Sequence, residues 1–458
     1  MSTRFHKVLI ANRGEIALRV IRACREIGLK TVAVYSTVDE DALHTRFADE
    51  AVCIGPGPAT LSYLNIPNII AAAEISGADA IHPGYGFLAE RSDFAEVVAK
   101  CGMTLVGPTA AHMRLMGDKV RAREAMKAAG VPLLPGTGVL ASAEDATRAA
   151  EEIGLPVILK ASAGGGGRGM KIVRELADVS RALEMGQAEA QAAFGCGDMY
   201  LERYVTGPRH VEVQILADEY GSIIDVMERE CSIQRRHQKI IEEAPAIGIS
   251  NVMRETMLRT SVEAARSIGY RSLGTFEFLV DGAEFYFMEM NTRVQVEHCV
   301  TEMISGIDLV QEQLRLAAGE PLGVLDRRHT ARGHAIECRI NAENPVDFSP
   351  APGTITALHF PGGTGVRVDS HVYQGCTVSP YYDSMLAKLI VHATTRERAI
   401  RRMRRALGEF VIEGVDTNIA LHRWLLKQEA FVSGNYDTNF LEQNIDPDAI
   451  RVEASAHS

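Results

Sequence analysis

The 458-residue sequence has no apolar stretch approaching the ~20 uninterrupted residues of a membrane span, and MSTRFHKVLIANRGE breaks into charge too soon for a signal peptide. These absences predict a cytoplasmic protein with no membrane partner. There is one tryptophan, and the eight cysteines (Cys24, Cys53, Cys101, Cys196, Cys231, Cys299, Cys338, Cys376) form no Cys-x-x-Cys pair. That excludes a zinc ribbon or thiol redox motif and predicts buried, reduced side chains. Net positive charge is also missing: 48 Lys plus Arg stand against 59 Asp plus Glu, a formal charge of −11. Such a surface repels nucleic acid, and any polyanionic ligand must find a local basic pocket. The NRGE loop after the first predicted strand lacks Gly-x-Gly-x-x-Gly, so no nicotinamide cofactor is expected.

What is present suits a folded, soluble protein of several domains, with 46% hydrophobic and 23% charged residues. KVLIA from Lys7, the helical spacing of Ile16, Val20, Ile21, Cys24 and Ile27, and then TVAVYS compose a β-α-β unit. The alternation continues through DEAVCIG, IPNIIAAAEISG, DAIHPGYG, SDFAEVVAKCG and MTLVGP, predicting a parallel sheet with helices on its faces. A helix over Lys119 to Gly130 and the turn-rich VPLLPGTG lead to LPVILKAS, AGGGGRG and MKIVREL. Gly164 to Gly169 formally match Gly-x-Gly-x-x-Gly, but a strand follows, not a helix. A hairpin flap over phosphates fits better than a mobile linker, because Lys160 and Arg168 place cations where phosphates need them.

In RHVEVQ, strand alternation puts His210, Glu212 and Gln214 on one face, and a turn at Asp218 to Gly221 reverses the chain. The cluster Arg235, Arg236, His237, Gln238 and Lys239 reads by itself as a solvated, salt-bridged face. The hairpin TFEFLV, Asp281-Gly282, EFYFMEMNTRVQVEH sets Glu277 close to opposite Glu289 and aligns Glu289 with Asn291 among apolar neighbours. Converging buried carboxylates demand a cation, and all-oxygen donors suit Mg²⁺ over zinc. Pairing to Arg293 without metal is the bland alternative, weaker for the set than for one glutamate. From Gly333 an α+β block begins; it includes a basic helix, RERAIRRMRRALGEF, whose arginines read as its solvated face, and the polar stretch after Pro447 reads as a tail.

ANRGEIALR, SYLNIP, IHPGYGFLAE, MGDK, KASAGGGGRGM, RHVEVQ, ECSIQRRHQKIIEEAPA, FEF, EMNTRVQVEH, ECRINAE and YYDSMLAKLI occur in the order seen in biotin carboxylases, which belong to the ATP-grasp superfamily. The resemblance runs from about Lys7 to Gln443. It implies an α/β and α+β architecture: an N-terminal Rossmann-like (pre-ATP-grasp) domain over 1–115, an ATP-grasp domain over 116–330 with a mobile lid over 131–205, a C-terminal domain over 331–446, and a tail over 447–458. The implied reaction is ATP- and bicarbonate-dependent carboxylation of biotin through carboxyphosphate, the first half-reaction of a biotin-dependent carboxylase such as acetyl-CoA carboxylase. The implied cofactors are ATP and two Mg²⁺ or Mn²⁺ ions, with biotin as a carrier-bound substrate. The implied partners are a biotin carboxyl carrier protein, carboxyltransferase subunits and a second copy of the chain.

Carried over by motif, Lys119 and Lys160 resemble the lysines that hold ATP phosphates under Gly166 and Gly167. Glu202 and Val205 resemble the adenine hinge, with His210, Gln234, His237 and Leu279 around the nucleotide. Glu277, Glu289 and Asn291 match the metal ligands. Lys239, Arg293, Gln295, Val296 and Glu297 match the bicarbonate pocket, with Glu297 as base, and Tyr85, Gly86 and Arg339 match the biotin site. Ala163 stands where some members have glycine, and Cys299 where a proline is common. Glu124-Ala125-Met126-Lys127 resembles a biotin attachment site, but Ala128 follows and the stretch is helical, so Lys127 reads as an ordinary helix lysine. No biotinyl or carboxyltransferase domain follows, which suggests a free-standing subunit. Another ATP-grasp ligase would share the flap and metal hairpin without needing HPGYG, RRHQK or RVQVEH. A non-catalytic scaffold would have no need of Glu297, Lys239 and Arg339.

Overall fold

Short aliphatic runs separated by amphipathic helices make the first layer. Strands Lys7–Ile10 (β1), Lys30–Ser36 (β2), Glu50–Gly55 (β3), Ala80–His82 (β4) and Thr104–Leu105 (β5) form a parallel sheet in the order β3-β2-β1-β4-β5. The helix Gly14–Glu26 buries Ile16, Val20, Ile21 and Cys24, the stripe its sequence spacing predicts. Strand order reverses between β1 and β4, so their following loops meet at the carboxyl edge of the sheet. There Asn12 Nδ2 donates to the carbonyls of Pro83 (2.8 Å) and Tyr85 (2.7 Å). Gly84, at φ +62°, lies so close that a Cβ would meet Asn12 Nδ2 at 2.9 Å, which is why a glycine stands there. The computed structural model describes residues 5–162, 169–323 and 330–455. Gly166 and Gly167, and Ala163 with Arg168, lie outside them.

Val157–Ala161 (β6), Lys171–Val173 (β7) and Met199–Arg203 (β8) form a small antiparallel sheet in the order β7-β6-β8. The helices Ala143–Ile153 and Val179–Phe194 cover it, and Val157, Leu159, Leu183, Met199 and Leu201 share a core of their own. Because β6 and β7 pair antiparallel, the glycine-rich run joins two hairpin strands and no helix follows it directly.

The largest element is an eight-stranded antiparallel sheet. Its strands are Arg209–Ala217 (β9), Ile223–Arg235 (β10), Gln238–Ala244 (β11), Ser272–Asp281 (β12), Glu284–Asn291 (β13) and His334–Asn341 (β14), completed by Val366–Ser370 and Met385–Ala393. Two short ribbons, Gly353–Thr354 (β15) with Thr377–Val378 (β18) and Ala357–His359 (β16) with Val411–Glu413 (β20), flank those last strands, β17 and β19. The order β13-β12-β9-β10-β11-β14-β19-β17 shows that the C-terminal block continues the same sheet through the β11–β14 pairing.

Three expectations are corrected. The residues after Pro447 are not a free tail: Pro447–Ser455 is a helix, and fully buried Ile450 joins Leu421, Trp424 and Leu425 in the C-terminal core. A single isoleucine among polar residues gives too little periodicity to announce this. Cys53 and Cys101 are exposed and Cys196 and Cys376 half-buried, although all eight thiols are free; β3 is a sheet edge and Cys101 follows the helix Ser92–Lys100. The basic helix Arg396–Glu409 buries Ile400, Met403 and Leu407, but Arg396 Nε turns inward to Glu243 Oε2 at 2.6 Å. Among the described residues, no helix is long and apolar enough to cross a membrane.

Candidate active site

A cleft of about 950 Å³ lies between the loops after β1 and β4, the small sheet and one face of the large sheet. Alternation aims His210 and Glu212 of β9, Glu277 of β12 and Lys239 of β11 at a common region, and the β12/β13 register sets Glu277 opposite Glu289 and Thr275 opposite Asn291. Tyr85, Gly86, Lys119, Lys160, Val205, His210, Gln234, His237, Leu279, Glu289, Asn291, Arg293, Gln295, Val296, Glu297 and Arg339 all line it. Glu202 does not: its carboxylate turns to Arg123 and to Lys160 Nζ (2.6 Å), leaving its neighbours Arg203 and Tyr204 to line the wall.

The cluster expected to be solvated is a tight β10–β11 turn. Arg236 and His237 both take left-handed backbone at φ +48° and +65°, a conformation that costs non-glycine residues about 1–2 kcal/mol each. The turn sends Lys239 inward, with only 13% of its side chain exposed. Its ammonium donates to Glu297 Oε1 (2.5 Å), Glu277 Oε1 (3.1 Å) and Glu212. Burial alone would lower the Lys239 pKa; Glu212, Glu277 and Glu297 outweigh it and hold it well above its ordinary value. Burial likewise pushes Glu297 up, and Lys239, Arg339 and Arg229 bring it below the usual carboxylate range. Arg339 Nη2 donates to Glu297 Oε2 at 2.9 Å and Arg339 Nε to Glu242 Oε1 at 2.6 Å.

Glu277 accepts from Asn291 Nδ2 and Gln295 Nε2, each at 2.6 Å, and lies 3.0 Å from His210 Nε2. Against the effect of burial, Glu277 and Glu212 raise the His210 pKa to about 9. Glu289 differs: it has no hydrogen-bond or ion-pair partner among the described residues, and burial followed by the Glu277 charge raises its pKa. An unpaired carboxylate beside Glu277 and the Asn291 amide oxygen, with Lys119 across the cleft, is an oxygen donor set fit for a hard divalent cation.

Beneath this layer lies a residue that sequence reading missed. Arg229 of β10 is fully buried and donates to Glu212 Oε2 (3.0 Å), Gln214 Oε1 (2.7 Å), Thr301 Oγ1 (3.1 Å) and Gln295 Oε1 (2.7 Å). It stands opposite Glu212 across β9/β10, a pairing the Asp218 turn almost predicts; the register shift between Asp225 and Glu228 displaces it. Arg293 reaches Glu90 Oε2 (3.1 Å) and Asn291 Oδ1 (2.9 Å) rather than Glu297. Cys299 lies buried in the first turn of the helix His298–Ser305, its Sγ 3.3 Å from Asp369 Oδ2.

Residues 4–113 match the family described as Biotin carboxylase, N-terminal domain; 118–325 match Carbamoyl-phosphate synthase L chain, ATP binding domain; and 337–443 match Biotin carboxylase C-terminal domain. A biotin carboxylase of Haemophilus influenzae is 57% identical over 96% of this chain and 98% of its own. A Campylobacter jejuni biotin carboxylase solved as a β-γ-ATP complex superposes with TM-score 0.94 at 50% identity, covering 96% of this chain and 99% of that one. The dimeric biotin carboxylase domain of Hydrogenobacter thermophilus 2-oxoglutarate carboxylase, with MgADP, ADP and bicarbonate, gives TM-score 0.94 at 49% identity over 98% and 99%. With all three segments matched in order and half the residues or more shared with whole relatives, the chain belongs to the biotin carboxylase family of ATP-grasp ligases, which carboxylate biotin at the expense of ATP.

Proposed function

We propose that this cleft carboxylates biotin presented on a carrier protein, with Glu297 as base, Lys239 and Arg293 holding bicarbonate, and Arg339 facing the biotin ureido oxygen. The convergence of Lys239 and Arg339 on the two oxygens of Glu297 carries this reading. Bicarbonate is a poor electrophile, so ATP must first give one of its oxygens a leaving group, forming carboxyphosphate. Lys119 and Lys160 hold the phosphates, and Val205, Gln234, His237 and Leu279 border the nucleotide. Glu277, Glu289 and Asn291 would hold Mg²⁺ or Mn²⁺, which when bound neutralises phosphate charge. Glu297 takes the bicarbonate proton while Lys239 and Arg293 orient the anion. Carboxyphosphate then releases CO₂ and phosphate; the phosphate takes the N1′ proton of biotin, Arg339 stabilises charge on the ureido oxygen, and N1′ adds to the carbon of CO₂ to give carboxybiotin. Tyr85 and Gly86 border the biotin end of the cleft.

The remaining partners are a carboxyltransferase, of which acetyl-CoA carboxylase supplies the simplest case, and a second copy of this chain. Cytoplasmic residence goes with that reading. The deciding experiment is ATP cleavage measured with and without bicarbonate and free biotin. Dependence on both supports the proposal, and cleavage indifferent to biotin points to a different ATP-grasp ligase.

A further inference from the structure

Lys388 on β19 is a fully buried lysine for which the mechanism above has no use. Its Nζ donates to the Val296 carbonyl at 2.9 Å and to Cys299 Sγ at 3.2 Å, and pairs with Glu15 Oε1 at 3.2 Å. The same Glu15 oxygen accepts the hydroxyl of Tyr85 at the cleft wall. Lys388 also sits directly opposite Arg339 across the β14/β19 pairing. Stripping water from an ammonium is costly, so packing alone is a poor reason to keep one here. Besides Cys299, its contacts lead to functional poles: the peptide just before Glu297 and, through Glu15, Tyr85, while its register position faces Arg339.

We infer that Lys388 is a positioning residue for biotin carboxylation: it fixes the Val296 peptide, and so the aim of Glu297, and ties that loop through Glu15 to the Tyr85 end of the cleft. The inference rests on the proposed function and gives the buried charge a task within it. A residue that only fills space would be replaceable by a neutral chain of similar length. One that positions through a hydrogen bond is rescued by a neutral donor.

The test compares ATP cleavage, with bicarbonate and with or without free biotin, in the unaltered chain and in Lys388→Met, Lys388→Gln and Glu15→Gln. Lys388→Met should lose biotin-dependent kcat by about tenfold or more while KM for ATP stays within about twofold, because a small displacement of an aligned group is costly. Lys388→Gln, whose amide can still donate to the Val296 carbonyl, should regain part of that loss. Glu15→Gln should raise KM for biotin more than KM for ATP. Lys388→Met with unchanged turnover, or Lys388→Gln no better than Lys388→Met, overturns the inference. If neither Lys388 variant folds, Glu15→Gln decides, and an unaltered KM for biotin in that variant refutes the inference. Absence of biotin-dependent cleavage in the unaltered chain would instead sink the functional reading.

Discussion

Glu277 and Glu289 stand opposite each other in the β12/β13 hairpin, yet Glu277 is held by Lys239, Asn291, Gln295 and His210 while Glu289 has no partner among the described residues. The free carboxylate is the one a divalent cation can claim without breaking an existing contact. Glu289→Gln should therefore raise the Mg²⁺ concentration for half-maximal ATP cleavage by about tenfold or more, a loss in the range of a 1–2 kcal/mol interaction, with little change in thermal midpoint. An unchanged Mg²⁺ titration would show that the hairpin is structural.

Glu297→Gln keeps the shape of the side chain and removes its capacity to take a proton. Bicarbonate-dependent turnover should fall by about 10²–10⁴-fold, with ATP affinity nearly unchanged. Steady-state cleavage and nucleotide binding together check this, and full turnover would refute the assignment of the base.

Arg229 is a stability prediction. Replacing it by Met removes donors to Glu212, Gln214, Thr301 and Gln295 at once and leaves Glu212 with Lys239 and His210 beside it. Denaturant unfolding should show a loss of about 3–5 kcal/mol. A loss under about 1 kcal/mol would mean that the surrounding carboxylates neutralise themselves by protonation.

Glu243 offers a pH test away from the cleft. Burial would raise its pKa, but His334 at 2.6 Å and Arg396 at 2.6 Å bring it from 4.5 to about 2. A carboxylate depressed on folding stabilises above its unfolded value and loses that contribution as pH falls. Glu243→Gln should thus lower the thermal midpoint at pH 7, and the gap to the unaltered chain should narrow as pH drops from about 4.5 towards 2. A gap constant with pH would place the effect in shape rather than charge.

Local signals made much of this legible in the sequence. Asp281-Gly282 fixes a hairpin, but counting back from it sets Glu277 opposite Met288, and only the register shift between Glu277 and Phe278 brings Glu289 to face it; the strand after the glycine run argues against a dinucleotide loop. Motif order carried the cleft residues. Long-range pairings were not accessible: Glu15 and Lys388 meet across most of the chain, and no periodicity links them. Arg229 sits among glutamates in a strand and looks like surface until the register shift is known. Composition alone leaves Lys239 on a solvated face, as a run of basic residues ordinarily is; the motif put it in the pocket, and a two-residue turn is what buries it.

The sharing of Lys239 among Glu212, Glu277 and Glu297 makes the site self-quenching. The ammonium and Arg339 hold Glu297 ionised and below the usual carboxylate range. On the proposed function, an anion that took over the hydrogen bonds of Lys239 would loosen that hold, and the Glu297 carboxylate would regain basicity as the substrate arrives. In that reading the charge of the substrate, and not its size, would free the base, and a neutral molecule of the same size would leave it held.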